Sequence, residues 1–293
     1  MKLIAGLVCF SIGFVCLERL CHKATDGFAR NKIICPAEYR LEQGEDHPSI
    51  ESQAAYHILT SQPFRYLSSG AQSYTFLSDD NNYVVKFFKF QHMRIPPWMK
   101  YIPLPKEVDA YRNLKIEKKQ QITRDVFNSF SIAFHKLRKE TGLVYLHLGK
   151  TGFMNGTLRC YDKIGVCHEL DLDEMYYVVQ HRADLAYSQI NYWMQYGRVS
   201  EARAGIRSLV ELSLNRCLKG IYDKDPDFST NFGFVGDQAI QIDIGRFSEN
   251  KGQSDPTVFK HALIHITHTF REWLKEHHDV LVEVLDEEID RIG

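Results

Sequence analysis

Apolar and polar positions alternate in two stretches of the chain and follow a helical period in three others. Between residues 63 and 88, three β-prone runs are separated by short turns of small or polar residues, which predicts three strands joined as hairpins. Residues 142–182 again predict antiparallel strands. The runs 106–140, 183–218 and 258–291 repeat apolar residues three and four positions apart, which predicts helices. The pattern therefore indicates an α+β fold.

Residues 220–247 concentrate acidic side chains just before an alternating run, AIQIDI, that predicts a strand. Magnesium prefers hard oxygen ligands, usually one or two carboxylates together with substrate phosphates. An acid and an amide oxygen on a loop, followed by a second acid near a strand end, suit that task, and a remaining acid can accept the proton of an attacking hydroxyl. The alternative is a polar loop before an ordinary strand. The residues concerned are Asp223, Asp225, Asp227, Asn231 and Asp243.

This segment resembles the catalytic segment of the protein-kinase-like superfamily. Asn231 matches the metal-holding Asn, and Asp243-Ile244-Gly245 matches the DFG motif with Ile in place of Phe. The resemblance implies that Asn231 and Asp243 bind metal and that Asp225, or else Asp227, is the catalytic aspartate that accepts the proton of the attacking hydroxyl. The segment departs from the family because it has no His-Arg-Asp and has Pro226 five positions before Asn231.

The first predicted hairpins carry residues suited to phosphate binding. A small-residue turn between two strands lets backbone N–H groups approach phosphates closely, and a lysine in the next strand can reach the same oxygens. By resemblance, Gly70 and Ser73 belong to a reduced phosphate loop that lacks GxGxxG, and Lys86 in VVKFF takes the place of the strand lysine. The alternative is a surface hairpin with a solvated lysine.

The helix predicted after Pro105 supplies the glutamate that the kinase resemblance requires as a partner of Lys86. Glu107 is the best match and Glu117 the second choice, the alternative being a surface glutamate. The strand ending near Gln180 would lead to the connector between two lobes.

Composition excludes some functions and leaves others open. The 36 basic and 37 acidic residues nearly cancel, so no global charge favours nucleic acid as a partner. The seven cysteines lack the spacing of a zinc site. Cys160 and Cys167 flank a predicted hairpin turn, where free thiols are favoured over a disulfide. Three histidines would share one helix face, but no partner residue indicates a metal site: His261, His265 and His268.

The N-terminal run from Leu3 to Leu17 is apolar and uncharged. It is shorter than the roughly 20 residues that span a bilayer, so it predicts a short retained anchor, the alternatives being a cleaved signal or a buried helix. Basic residues follow the run, which by the positive-inside tendency places the globular part in the cytoplasm.

The combined expectation is a two-lobe, protein-kinase-like α+β fold with an antiparallel β-rich N-lobe, a helical C-lobe and a hydrophobic N-terminal helix. The expected domains are an anchor (1–22), a linker with a short helix (23–62), the N-lobe (63–182) and the C-lobe (183–293). ATP would lie between the lobes, close to Lys86. The absence of an APE-type motif favours compact, atypical branches such as lipopolysaccharide kinases and aminoglycoside-phosphotransferase-like enzymes.

The expected function is ATP- and Mg²⁺-dependent phosphoryl transfer to a hydroxyl of an unidentified small molecule, lipid or protein. The displaced Asp and the reduced phosphate loop leave open a pseudokinase that binds nucleotide or partners without turnover. A third possibility is an α+β binding protein unrelated to kinases.

Overall fold

The computed structural model describes residues 2–36, 47–94, 96 and 105–292, and the chain divides into two compact units. Unit 1 comprises Met1–Lys119 and His147–Val179, and unit 2 comprises Gln120–Leu146 and Gln180–Gly293. The α-helices in the described residues are α1 (Lys2–Thr25), α2 (Ile50–Thr60), α3 (Lys106–Lys136), α4 (Arg138–Thr141), α5 (Ala186–Gln195), α6 (Val199–Leu218), α7 (Pro256–His277) and α8 (Val282–Asp290).

The strands in the described residues confirm the mixed α+β pattern expected from the sequence. They are β1 (Phe64–Ser69), β2 (Ser73–Ser78), β3 (Tyr83–Phe88), β4 (Leu143–His147), β5 (Thr157–Tyr161), β6 (Cys167–Asp171), β7 (Tyr177–His181), β8 (Asp184–Leu185), β9 (Ile221–Asp223), β10 (Phe232–Val235), β11 (Gln238–Gln241) and β12 (Phe247–Glu249).

Unit 1 is built on a sheet in which the strands follow the order β7-β3-β2-β1-β5-β6. The hairpins β1–β2, β2–β3 and β5–β6 are antiparallel, as predicted, whereas β1 and β5 run parallel. The inward-facing side chains are large and apolar because β-branched and aromatic residues suit a half-buried pleated surface. The most deeply buried include Phe64, Phe76, Val85, Phe87 and Leu158.

The N-terminal helix α1 extends over the predicted apolar run and continues to Thr25. Several of its apolar side chains are strongly exposed, including Phe10 at 73% and Phe14 at 63%. Within the described part of the chain, no helix combines the length and apolar character needed to span a bilayer.

The segment immediately after α1 is fastened to the sheet of unit 1. Phe28 is buried and makes edge-on ring contacts with Tyr74, Phe76 and His168. Asp26 forms an ion pair with Lys163 at 2.7 Å. Farther along, Ile33 and Cys35 are also buried. Residues 26–35 therefore belong to the packed body of unit 1.

Unit 2 is mainly helical, and its core lies where α5, α6, α7 and α8 meet the hairpin β10–β11. Trp193 of α5 packs edge-on against Phe234 of β10, and Phe270 of α7 packs against Phe228. All four rings are almost wholly buried. Burying one such ring contributes about 1.5–3 kcal/mol, so this cluster fixes the loop that contains Phe228.

The single helix predicted over residues 183–218 is wrong, because the chain forms α5 and α6 with a break between them. Gly197 adopts a left-handed conformation with φ of 68°. Its N–H donates to Met194 at 3.2 Å, and the N–H of Arg198 donates to Trp193 at 2.8 Å. These two bonds form a Schellman motif, which ends a helix and favours glycine.

The cysteines that flank the predicted turn, Cys160 and Cys167, are free thiols. Cys160 pairs with His168 across the β5–β6 hairpin, while Cys167 pairs with Tyr161. Cys160 is buried and Cys167 is exposed. Burial raises the pKa of the Cys160 thiol to about 12, which keeps it protonated and unreactive.

Candidate functional site

The acidic loop of unit 2, residues 224–231, follows β9 and precedes the hairpin β10–β11, and β9 pairs with β12 beyond that hairpin. Strand β9 ends at Asp223 and β12 begins at Phe247, and these two residues are partners in an antiparallel ladder. The backbone N–H of Lys224 also donates to Arg246 at 3.4 Å. The pairing brings the segment after Asp243 back beside the start of the acidic loop.

Asn231 connects the acidic loop with the Asp-Ile-Gly segment. Its side-chain amide donates to the backbone carbonyl of Asp225 at 2.7 Å. Its own backbone carbonyl accepts the N–H groups of Ile242, at 2.8 Å, and Asp243, at 3.4 Å. Asn231 is buried to 8% exposure, so these bonds are shielded from water. The structure therefore places Asp225, Asn231 and Asp243 in one local site.

A buried ion pair holds the start of the acidic loop in place. The guanidinium of Arg216, on α6, donates to the Asp223 carboxylate at 3.0 Å and to the Gln241 amide oxygen at 2.6 Å. Gln241 in turn donates to Asp223 at 2.5 Å. The second Asp223 oxygen accepts the backbone N–H of Asp225. Burial lowers the pKa of Arg216, and the charge of the adjacent Asp223 opposes that shift.

The Asp243-Ile244-Gly245 segment is fixed by a serine from α3. The hydroxyl of Ser129 donates to the carbonyl of Ile244 and accepts the N–H of Phe247 at 2.6 Å. Ser129 and Ile244 are fully or almost fully buried, whereas Asp243 is exposed. One Asp243 carboxylate oxygen accepts the N–H of Gly245 at 3.2 Å. These hydrogen bonds hold the backbone of the segment in place, and the Asp243 carboxylate faces solvent.

The two candidates for the catalytic aspartate have different surroundings, although both are exposed. The oxygens of Asp227 accept bonds from Ser229 at 2.7 Å and Thr230 at 3.2 Å, the pattern by which an acidic residue stabilises its own turn. Asp225 instead faces Arg246 at 3.4 Å. Of the two, Asp225 is the carboxylate whose oxygens are not used to shape the loop.

A cavity of about 270 Å³ opens beside this loop, entirely within unit 2. One side is the loop from Asp225 to Ser229, and the other consists of Tyr187 from α5 and residues of α7. Burial, assisted by the charge of Asp227, raises the pKa of Tyr187 to about 12. The Tyr187 hydroxyl therefore remains a hydrogen-bond donor at neutral pH.

In unit 1, the predicted phosphate loop is the turn between β1 and β2. Gly70 donates its N–H to Ser73 at 3.0 Å. Lys89, directly after β3, donates to Ser69 at 2.6 Å and to the carbonyl of Gly70. Burial lowers the pKa of Lys89. This lysine holds the turn through two hydrogen bonds, and no sequence pattern singled it out.

Lys86 lies in β3 opposite Thr75 and is half-buried. Its partner by resemblance, Glu107, is near the start of α3, and the Glu107 side chain lies outside the described residues. Glu117, the second choice, is exposed on the same helix. Lys86 and Glu107 therefore keep the roles assigned from the sequence as predictions.

The oxygen groups of unit 2 suit a magnesium ion better than a zinc ion. An exposed carboxylate and a neighbouring amide oxygen are hard ligands, and magnesium usually takes few protein ligands and completes its shell with phosphates and water. Among the described residues there is no group of three or more His, Cys, Asp or Glu side chains able to hold a metal. The exposed Asp243 carboxylate fits an ion that arrives together with a phosphorylated ligand, and the Asn231 amide oxygen, which accepts the Thr230 hydroxyl at 3.1 Å, would exchange that bond to join it.

Four residues that organise the site were not selected from the sequence as functional residues. Arg216 and Gln241 look like ordinary helix and strand residues, and Ser129 lies 115 positions before its partner Ile244. Of these four residues, Arg246 could have been selected from the sequence, because it directly follows the Asp-Ile-Gly motif.

No family model matches this chain, and no curated protein is significantly similar to it. Comparison with solved structures does find similar folds. A crystal structure of WbdD matches with a TM-score of 0.37 and 12% identity, covering 78% of this chain and 46% of that one. Another structure describes WbdD as a bifunctional kinase-methyltransferase. This chain thus spans just under half the length of the WbdD structure.

Two further similar structures come from different proteins. The erythromycin complex of Rv3197 from Mycobacterium tuberculosis has a TM-score of 0.34 and 13% identity over 83% of this chain and 61% of that one. The ROP18 kinase domain with AMP-PNP and sucrose has a TM-score of 0.39 and 13% identity over 77% of this chain and 72% of that one.

Proposed function

We propose that this protein is an ATP- and Mg²⁺-dependent phosphotransferase that uses a hydroxyl group as acceptor. The observation that carries the proposal is the double role of Asn231, which binds the backbone of Asp225 through its side chain and that of Asp243 through its carbonyl. A proton acceptor and two metal-ligand candidates are thereby assembled in one part of unit 2. Phosphoryl transfer needs such a set, because its catalysis is mostly positioning and charge stabilisation.

The residues have distinct roles in this proposal. Asp225 orients the acceptor hydroxyl and accepts its proton. Asn231 and Asp243 offer oxygen ligands to the metal, which when bound neutralises charge on the phosphoryl oxygens. Lys86 and the turn from Gly70 to Ser73 contact the nucleotide phosphates, as the resemblance implies.

The buried groups around the site act by holding those residues in place. The Arg216–Asp223 pair fixes the start of the loop through the N–H of Asp225. Ser129 fixes the Asp-Ile-Gly segment through the carbonyl of Ile244 and the N–H of Phe247, which follows the segment. Preorganisation of this kind lets the carboxylates act without reorganising during the reaction.

A pseudokinase is the second candidate, and the contact between Asp225 and Arg246 favours it. The Arg246 guanidinium lies 3.4 Å from the Asp225 carboxylate and occupies the side of it that an acceptor hydroxyl would need to reach. Both side chains are about half exposed, and water screens the pair, so an arriving substrate can displace Arg246 at little cost. The contact thus does not exclude catalysis.

Thermal unfolding and ATP consumption together test the proposal. An active phosphotransferase shows a magnesium-dependent upward shift of the unfolding temperature with ATP and slow ATP turnover. Lys86→Ala and Asp243→Ala should each abolish turnover while the variant stays folded. A shift with ATP but no turnover, unchanged in Asp225→Ala, would establish the pseudokinase. No shift with any nucleotide would overturn both candidates.

We also propose that α1 attaches the protein to a membrane with its globular part in the cytoplasm. The support is the exposed apolar surface of α1, to which Phe10, Phe14 and Leu20 contribute, and the basic residues that follow the apolar run. Liposome flotation of the full chain and of a form lacking residues 2–25 tests this. Equal recovery of both forms in the soluble fraction would contradict it.

A further inference from the structure

The cavity beside the acidic loop is formed by two kinds of surface. Its floor is apolar and aromatic, with Phe228, Ile266 and Phe270. Tyr187, Ser229 and Thr269 add hydroxyl groups at its sides. Ligand sites of this kind use apolar walls for affinity and a few polar groups for orientation, and their volumes are typically about 300–1,000 Å³. At about 270 Å³, this cavity is slightly smaller than that range and suits a compact molecule.

The aromatic wall of the cavity is rigid. Tyr187 stacks on Trp273 with ring centroids 4.1 Å apart, and Trp273 is parallel to Phe270 at 5.9 Å. Phe270 also packs on Phe228, which anchors the acidic loop. Because these side chains are already ordered, they lose little conformational entropy when a ligand binds. The cavity is therefore preorganised for binding.

The charge of the cavity is negative. Asp225 and Asp227 both line it, and among the lining residues that the structure describes there is no lysine or arginine. Arg246 lies 3.4 Å from Asp225 and offsets part of that charge. In the described part of the chain, no ion pair offsets the charge of Asp227. An anionic ligand would therefore be repelled by a carboxylate that no ion pair in the described residues offsets.

We propose that this cavity is the acceptor site and that it takes a small alcohol without an anionic group. This inference rests on the proposed phosphotransferase function, since Asp225 both lines the cavity and accepts the hydroxyl proton. The molecule lies against Tyr187 and Phe270, with a hydroxyl directed at Asp225. Repulsion by Asp227 excludes phosphorylated and carboxylated alcohols, and the volume excludes a folded protein surface.

Ligand-observed NMR, performed without nucleotide, tests the site directly. The probe is a panel of small cyclic and open-chain alcohols in three matched groups, which are neutral, aminated, and phosphorylated or carboxylated. The neutral and aminated groups are expected to give saturation transfer and the anionic group none. In Thr269→Trp, which fills the cavity from α7, the signals should fall at least tenfold. Ile264→Trp, at an exposed position of α7 outside the cavity, is the matched control.

Asp227→Asn tests the role of charge. In this variant, the saturation-transfer signals of the anionic alcohols should rise relative to those of the neutral alcohols. His265→Trp is a second filled-cavity variant in case Thr269→Trp does not fold, as judged by circular dichroism. Equal binding of the three groups, equal signals in the filled-cavity and control variants, or no binding at all would overturn the inference. Because these measurements omit ATP, their failure is distinct from a failure of the nucleotide-shift experiment, which tests the proposed function.

Discussion

The side-chain nitrogen of Asn231 lies 2.7 Å from the backbone carbonyl oxygen of Asp225. This bond spans six residues and sets the position of the proposed proton acceptor relative to the proposed metal ligand. The same asparagine holds the N–H of Ile242 through its backbone. One buried residue thus controls the spacing of the whole acidic site.

Replacing Asp225 with Asn is expected to reduce turnover by about 10²–10⁴-fold, the usual contribution of a general base. Nucleotide-dependent stabilisation should remain, because Asp225 does not contact the nucleotide in this proposal. Steady-state ATP consumption and thermal unfolding measure the two effects. Asp237→Asn, in the exposed turn between β10 and β11, is the matched control. Equal turnover in the two variants would remove Asp225 from the mechanism.

Replacing Asp223 with Ala is expected to lower the free energy of unfolding by about 3–5 kcal/mol, because a buried guanidinium loses its partner. The side chains of Arg216 and Asp223 are each only 3% exposed. Asp286→Ala breaks an ion pair with Arg271 whose side chains are 40% and 41% exposed, and should cost at most about 1 kcal/mol. Urea unfolding of both variants makes the comparison, and similar losses would show that the Arg216 pair is not structural.

Ser129→Ala removes a hydroxyl that serves both Ile244 and Phe247, and it should destabilise unit 2 by about 1–3 kcal/mol. Ser213→Ala is the control, since Ser213 is equally buried and donates to Leu209 of its own helix. Ser129→Ala should also weaken magnesium binding, measured as the metal concentration at half-maximal nucleotide shift. If both variants behave alike in the metal titration, Ser129 does not position Asp243.

The stability of unit 1 should fall in mild acid because of His147. Burial lowers the pKa of this histidine, while a bond to the Met175 carbonyl and the charge of Asp173 oppose the shift. As pH falls below about 6.5, the unfolded chain binds the proton before the folded one does, so the free energy of unfolding decreases. His147→Gln should therefore show a shallower loss of unfolding temperature from about pH 7 to 5. His135→Gln, at an exposed site, should keep the wild-type slope.

The hairpins of unit 1 could be predicted because local signals determine them, whereas the short strands β8, β9, β10 and β12 were not predicted. Turn residues between β1, β2 and β3 mark the hairpins, and Gly220 follows the predicted end of α6 with φ of 68°. The break at Gly197 was missed, because one glycine within an apolar helical pattern is also compatible with a continuous helix. The pattern alone could not show that Gly197 adopts a left-handed conformation.

The candidate site could be predicted only in part. Asn231 and Asp243 match a motif within one segment, so their proximity follows from the chain itself. The buried pair of Arg216 with Asp223 depends on how α6 meets β9 and β11, which no local pattern encodes. Ser129 is harder still, since its partners Ile244 and Phe247 come more than a hundred positions later.

The close docking of residues 26–35 determines where the chain can be shortened for laboratory study. A fragment that starts at Asp26 keeps Phe28 over Tyr74 and Phe76 and keeps the ion pair with Lys163. A fragment that starts at Ile50 would uncover those rings and invite aggregation during purification. Asp26 is therefore the first residue of choice for a recombinant form without α1.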